Sequence, residues 1–239
     1  MNARFVVFAP RSAAPPRTHY LSAYDTFRSV WSETYRAIHG DAYVSHSNDF
    51  TRQDYIQALF EGELCVGLDC VRKIRLDNPA DLDDSWLGPW PAEILDALQR
   101  DHAEALINSC FTVHRDYRKH DGRSGHPVSY LLGCLSVLHQ LETGAPLMLG
   151  MMRCDRSMNK LGDALGATTL RMTTYNGKET ALVAFERDRV RQAAATFPDV
   201  ALRLFENRVE DRQSCSSYER EPDRQDCLSS TTTLEEVQA

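Results

Sequence analysis

The sequence lacks a long N-terminal apolar run, CxxC cysteine pairs and an excess of basic residues. The apolar stretch 5–9 is far shorter than the roughly 20 residues of a membrane-spanning helix, and the following Arg11 and prolines make it a poor signal peptide. We therefore predict no membrane span. The formal net charge of −7 argues against nucleic-acid binding, because such binding depends on many cation–phosphate contacts.

The seven cysteines form no cluster with metal-ligand spacing, and their number is odd. Most of them lie in apolar runs, where a free cysteine behaves as a small hydrophobic residue. We therefore predict reduced thiols, a cytoplasmic location and no metal site.

The centre of the chain has a pattern typical of a phosphate site. Residues 106–113 form an apolar run predicted as a strand, 114–125 a basic loop with two glycines, and 126–141 a helix with apolar residues every three or four positions. Pro127 fits the first helical turn, where a missing N–H costs nothing. Loop N–H groups and a helix N-terminus can both point at an anion. We therefore predict that a phosphate-bearing ligand binds at 118–125.

Helical and strand patterns alternate along the rest of the chain, which indicates an α/β or α+β domain with a mixed sheet. In order, we predict a lone edge strand 4–9, helices 20–39 and 51–60, a strand 63–76, a loop 78–91, a helix 91–105, and, after the centre, a strand 145–153, a helix 155–165 and strands 167–175 and 180–187. The Asn176-Gly177 pair predicts a hairpin turn between the last two strands. The domain spans 1–205, and the polar segment 206–239 is predicted to be a disordered tail.

This order of elements resembles the GNAT superfamily of acyltransferases. The segment FTVHRDYR, at 111–118, is similar to the superfamily's strand ending in V-x-P-x-Y-R, and a basic glycine loop follows it. The segment MNKLGDALGA, at 158–167, is similar to the superfamily's helix that ends just before a strand. The resemblance covers a core of about 63–187, preceded by an N-terminal helical part, 20–60. It implies a GNAT-like mixed central sheet with a splayed strand, flanked by helices.

Within the superfamily, the chain resembles the acyl-homoserine-lactone synthases and the N-acyl amino acid synthases. The resemblance rests on the aromatic N-terminal helix with Arg28 and Trp31, the strand GLDCVRKIRL and the basic segment YRKHDGR. It implies an N-acyltransferase that moves an acyl group from a phosphopantetheine thioester to the amine of a small amino acid-like acceptor. The donor, acyl-CoA or an acyl carrier protein, would be a co-substrate, and no tightly bound cofactor is implied.

The resemblance also assigns a donor site. In such proteins the loop binds the pyrophosphate of coenzyme A or the phosphopantetheine arm of a carrier protein, and the splayed strand leaves room for the pantetheine. The implied donor contacts are Phe111, Val113, Arg118, Lys119, His120, Gly122, Arg123, Ser124 and Gly125.

Three positions depart from the superfamily pattern. The first is Arg115, which stands where V-x-P-x-Y-R has proline. Counted from Arg118, the loop has Asp121 where R/Q-x-x-G-x-G/A has its first glycine, and Gly162 stands where a tyrosine general acid is common. The donor type and the proton donor therefore both stay open. One alternative is a catalytically inactive GNAT-like module that binds an acyl donor or has a regulatory role. Another is an acetyltransferase acting on a polyamine or a protein lysine.

Acyl transfer to an amine needs a base for the amine proton and a hydrogen-bond donor for the oxyanion. His114, which ends the central strand, is the first candidate for the base, because histidine is the most common general base in enzymes. Glu104 and Asp69 are the next candidates. Each also has a structural interpretation. His114 can hydrogen-bond to loop backbone, Glu104 can occupy a helix end, and Asp69 can face solvent from a strand.

Overall fold

A computed structural model describes residues 3–11, 17–40, 47–118 and 125–210. The strands are β1 (Ala3–Phe8), β2 (Tyr55–Glu61), β3 (Leu64–Arg75), β4 (Glu104–Val113), β5 (Leu147–Arg153), β6 (Thr168–Tyr175), β7 (Lys178–Glu186) and β8 (Val209–Glu210). The helices are α1 (Arg17–His39), α2 (Asn48–Thr51), α3 (Pro79–Leu82), α4 (Ala92–Asp101), α5 (Val128–Thr143), α6 (Met158–Ala164), α7 (Arg187–Ala194) and α8 (Asp199–Glu206). No helix within these ranges is long and apolar enough to cross a membrane.

The strands form one mixed sheet in the order β6-β7-β5-β4-β3-β2-β1-β8. Most neighbours are antiparallel, but β4 and β5 are parallel, as are β1 and β8. A parallel pair needs a long crossover, and α5 supplies it between β4 and β5. The fold therefore places the predicted strand and helix at the middle of the sheet.

Helices cover both faces of the sheet, because successive side chains of a strand point to opposite faces. On one face, α5, α7 and α8 enclose a core that includes Phe5, Leu106 and Leu135. On the other face, α1 covers an aromatic cluster around Phe27 and Phe50, and α4 covers a separate apolar cluster. Each fully buried Leu or Phe contributes about 1.5–3 kcal/mol.

The strand β4 is paired differently along its length. It pairs with β3 as far as Val113, but its pairing with β5 ends at Asn108, which lies opposite Gly150. The register with β3 shifts between Leu68 and Cys70, opposite Cys110, whose φ is +53°. This is a β-bulge, and bulges bend the strand that carries them. The predicted GNAT-like mixed sheet with a splayed strand is confirmed.

The predicted hairpin turn is also confirmed, and two glycines end helices. Asn176 and Gly177 both have positive φ and form the turn between β6 and β7. Gly40 and Gly166 follow the ends of α1 and α6 with φ of +86° and +91°, as glycines that end helices do.

The prediction of a helix at 51–60 is wrong, because most of this segment is β2. Tyr55, Gln57 and Leu59 lie on the face toward α5, while Ile56 and Phe60 face the cluster under α1. Helices cover both faces, so both sets of side chains are buried. A short apolar run with no polar face does not distinguish a strand from a helix.

The sheet also extends beyond the predicted core at both ends of the chain. The strand β1 is not a lone edge strand, because it lies between β2 and β8. The strand β8 lies past the predicted domain boundary at 205. The remainder of the predicted tail, 211–239, lies outside the described residues.

Candidate active site

An opening separates β4 and β5 beyond their last pair, Asn108 and Gly150. The two strands continue in the same direction, β4 to Val113 and β5 to Arg153. Because their pairing ends while both strands continue, one edge of the outer half of β4 is no longer occupied by β5. An extended ligand can hydrogen-bond to such a strand edge.

The bulge in β4 lies beside this opening and is fixed from the α1 side. Thr112 is fully buried, and its Oγ1 lies 2.5 Å from the carbonyl oxygen of Cys110 and accepts a hydrogen bond of 2.9 Å from Trp31 Nε1. A positive φ at a non-glycine residue is unfavourable and persists only where its surroundings hold it. The contacts with Thr112 and Trp31 therefore hold a strained backbone at the mouth of the opening.

The N-terminus of α5 lies at the same end of β4. A Cβ at Gly67 would be 3.1 Å from Val128 Cγ1 and 3.2 Å from the Thr112 carbonyl oxygen, so the bare glycine lets the first turn of α5 pack on the sheet. Pro127, the N-cap residue, makes no side-chain cap, and the first turn has no acidic residue. The first N–H groups of α5 are therefore suited to an anion.

Four of the predicted donor contacts lie within the described residues. Phe111 and Val113 lie on the outer half of β4, both partly buried. Gly125 lies just before α5 with a φ of +74°. Arg118 folds back on the strand, where its Nε donates to the Val113 carbonyl oxygen at 3.2 Å and its guanidinium lies 4.0 Å from Glu33. Lys119, His120, Gly122, Arg123 and Ser124 lie outside the described residues.

The three candidate bases do not come together. His114 directly follows β4, and its Nδ1 accepts a hydrogen bond from the backbone N–H of Asp116 at 3.4 Å, which is the structural contact considered for it. Glu104 is the first residue of β4, about 30 Å from Val113 for a strand of this length. Asp69 is fully buried on β3, opposite the bulge. Only His114 and Asp69 therefore lie near the outer half of β4.

His114 also lines a cleft of about 450 Å³ between α1 and the turn that joins β2 to β3. The cleft walls carry the carboxylates of Asp25 and Glu63 and the hydroxyl groups of Thr18 and Ser29. With two carboxylates on its walls, this cleft suits a cationic or hydrogen-bonding ligand.

Asp69 belongs to a polar network that the sequence did not indicate. Asn108 Nδ2 donates to Asp69 Oδ2 at 3.2 Å and to Ser136 Oγ at 2.7 Å. Burial raises the pKa of Asp69 to about 7, and the hydrogen bonds to Ser136 and Asn108, which favour the carboxylate, offset only part of the rise. The missed signals are an asparagine inside an apolar strand and a serine inside an apolar helix.

Gly162, which stands where the superfamily often has a tyrosine, packs closely against Met152. A Cβ on Gly162 would lie 2.5 Å from Met152 Sδ and 3.5 Å from the Ala167 Cβ. Met152 thus occupies the space above α6 that a side chain at 162 would need.

These features together define the fold of a GNAT-type protein, with a bulged central strand, an opening toward its parallel neighbour and a helix that starts at the opening. Solved structures share this fold. The N-acyl amino acid synthase FeeM from uncultured soil microbes is 15% identical, with a TM-score of 0.54 over 82% of this chain and 99% of FeeM. The CoA-dependent acyl-homoserine lactone synthase BjaI, solved with SAM and isopentyl-CoA, is 15% identical, with a TM-score of 0.58 over 87% of this chain and 93% of BjaI.

An agmatine N-acetyltransferase is also similar, at 10% identity and a TM-score of 0.54 over 76% of this chain and 99% of that protein. No protein-family sequence model and no curated protein sequence matches the chain. At this level of identity the likeness is one of fold. It confirms the resemblance to the fold of the acyl-homoserine-lactone and N-acyl amino acid synthases.

Proposed function

We propose that the protein is an N-acyltransferase that takes its acyl group from a phosphopantetheine thioester and gives it to a small amine or amino acid. The observation that carries the proposal is the opening between β4 and β5, with the uncapped N-terminus of α5 at the same end. A donor has an extended amide-bearing arm and a phosphate end, which match a free strand edge and a helix N-terminus. The similar solved enzymes include an N-acyl amino acid synthase and a CoA-dependent synthase.

In this proposal the pantetheine arm lies along the outer half of β4, at Phe111 and Val113. The phosphate end meets the first turn of α5 and the loop residues Arg118, Lys119, His120, Gly122, Arg123, Ser124 and Gly125. The thioester lies beside the bulge at Cys110, where a backbone N–H can hold the developing oxyanion.

The reaction itself needs no covalent enzyme intermediate. The amine nitrogen attacks the thioester carbonyl, an N–C bond forms, the C–S bond breaks, and the leaving thiolate takes up a proton. His114 lies four residues beyond Cys110, roughly 13 Å along the strand, so it would take the amine proton through water. Glu104 has no place in this scheme, because it lies at the far end of β4.

A second acceptor class is favoured by one observation. The cleft beside His114 carries Asp25 and Glu63, and paired carboxylates attract a cationic amine. A polyamine-like acceptor is therefore the runner-up to an amino acid, and one of the similar folds is an agmatine N-acetyltransferase.

The test is a thiol-release assay with acyl-CoA donors of increasing chain length and acyl carrier proteins, each combined with pooled amino acids or pooled polyamines. We expect release with at least one pair, and the better of the two donor types identifies the physiological donor. Lack of turnover combined with a thermal shift by acyl-CoA would favour the catalytically inactive donor-binding module. Neither turnover nor a thermal shift would contradict donor binding altogether.

A further inference from the structure

Two buried oxygen atoms under α5 have no hydrogen-bond partner among the described residues: Asp69 Oδ1 and Gln57 Oε1. Asp69 and Gln57 are direct cross-strand partners on β3 and β2, and such partners share a face with Cβ atoms about 4.5–5.5 Å apart. Their side chains are 0% and 1% exposed. Both oxygens are acceptors when Asp69 is ionised, so neither can satisfy the other.

This pair lies at the point where the sheet opens. Asp69 is opposite the bulge in β4, and its other oxygen accepts from Asn108, the last residue of β4 that pairs with β5. Asn108 continues the network to Ser136 on α5. The side chains therefore connect β2, β3, β4 and α5 at the inner end of the opening.

One proton removes the conflict. A buried ionised carboxylate without a compensating charge is costly, and so is a buried acceptor without a donor. A hydroxyl group on Oδ1 would neutralise Asp69 and supply the donor that Gln57 Oε1 lacks. We propose that Asp69 is a neutral carboxylic acid that donates to Gln57, and that this network is a positioning element that holds β4 at the bulge.

Among the described residues, no cation contributes to the pKa shift of Asp69. On α5, the buried His139 lies one turn beyond Ser136, and burial lowers its pKa to about 4, so it is neutral at pH 7. On β2, Tyr55 lies on the same face, and the Lys73 ammonium of β3 lies over the Tyr55 ring. On β3, Cys70 follows Asp69 in sequence, and its burial and its contact with Cys110 raise its pKa.

The direct test is infrared spectroscopy of the full chain. We expect a carbonyl-stretch band of a protonated, hydrogen-bonded carboxyl at pH 6, which is lost in Asp69→Asn and kept in the exposed control Asp54→Asn. Gln57→Leu should shift the band to higher frequency, because the hydroxyl loses its acceptor. Absence of the band from the wild type, or no shift in Gln57→Leu, would overturn the proposal. Absence would mean that the Gln57 amide is reversed and donates to a carboxylate.

The consequence for donor binding rests on the proposed function and has its own readout. As pH rises from 7 to 9 the wild type should lose the Asp69 proton, so that donor KM rises by up to about tenfold per pH unit while kcat changes less. Asp69→Asn, which keeps a donor for Gln57 and an acceptor for Asn108, should keep donor KM flat over this range. An equal rise in Asp69→Asn would overturn the positioning role. If the protein shows no turnover, the infrared experiment alone decides whether Asp69 is protonated and donates to Gln57.

Discussion

The two halves of β4 differ in their surroundings. Residues 104–108 pair with β3 and, from Leu106 onward, also with β5. Ile107 in this half is 1% exposed. Residues 109–113 keep only β3, carry the bulge at Cys110 and leave Phe111 partly exposed. The inner half therefore contributes to stability, whereas the outer half has an edge available to a ligand.

An exposed strand edge is a liability unless the protein covers or uses it. Here the edge lies inside the sheet, between β3 and β5, so it is not an outer edge that a strand of another protein could join. The buried contacts of Thr112 and Asp69 hold the outer half in place without the second neighbouring strand. Mutations in the two halves should therefore separate stability from donor binding.

The largest loss of unfolding free energy is expected for Ile107→Ala, and Phe111→Ala is the variant to compare with it. Ile107→Ala empties a fully buried site and should cost about 2–5 kcal/mol of unfolding free energy, with donor KM unchanged in the folded fraction. Phe111→Ala should cost less than about 1.5 kcal/mol, because its side chain is only partly buried, and should raise donor KM. Urea unfolding and donor titrations measure both. The same pattern in both variants would contradict the division of β4.

A second pH effect should appear at His139, which lies on α5 one turn beyond Ser136. The pKa of His139 is lowered to about 4 by burial, from 6.5. Above pH 6.5 both folded and unfolded states are neutral at this residue. As pH falls from 6.5 to 4, only the unfolded state takes up this proton, so the contribution of His139 to stability should fall by about 3 kcal/mol. The contribution of Asp69, whose pKa is raised by burial, has the opposite sign in this range.

Unfolding of His139→Leu between pH 7 and 4 checks this effect. The variant should lack that part of the acid loss, while His102→Gln, at the more exposed end of α4, should keep it. Donor KM at pH 7 should not change in His139→Leu. A variant with the wild-type acid loss would show that His139 is protonated in the folded protein.

The basic loop should affect donor binding without affecting stability. Arg118→Ala with Arg123→Ala should raise donor KM about tenfold, equivalent to about 1.4 kcal/mol, and should lower kcat less. Arg115→Ala is the matched control, since this exposed arginine pairs with Asp116. A loss confined to kcat would mean that the two arginines do not contact the donor phosphate.

The smallest effect is expected for Trp31→Phe, which removes the hydrogen bond from Trp31 Nε1 to Thr112. The loss should be about 1 kcal/mol, or a Tm lower by roughly 2–4 °C, with a small rise in donor KM from a looser bulge. Trp86→Phe, in the cluster under α4, should leave donor KM unchanged. An equal rise in both variants would contradict a link between Trp31 and the opening.

The sequence was sufficient for the order of elements around the site. The apolar run before Val113, the basic loop, Pro127 and the period of α5 predicted the strand, loop and helix, because these are local patterns. The segment with Tyr55, Ile56 and Phe60 was assigned to a helix, because the layers of helices that bury both faces of β2 are not visible in the local sequence.

The candidate site was predicted less completely than the fold. Glu104 and His114 lie at the two ends of the same predicted strand. The structure shows that β4 is extended from Glu104 to Val113, so the two side chains are too far apart to act together. The roles of Asn108 on β4 and Ser136 on α5 depend on a contact between two residues that are 28 positions apart in the sequence.

By itself, the sequence determined the local elements, the mixed α/β class and the loop where an anion is expected. Periodicity, glycines in left-handed turns and helix-start residues determine backbone conformation over a few neighbouring residues, so they can be recognised without a structure. Only the tertiary structure decided where β5 leaves β4, and that Asp69 is buried rather than facing solvent. Both depend on packing between distant segments, which removes water from a carboxyl group and leaves one strand edge open.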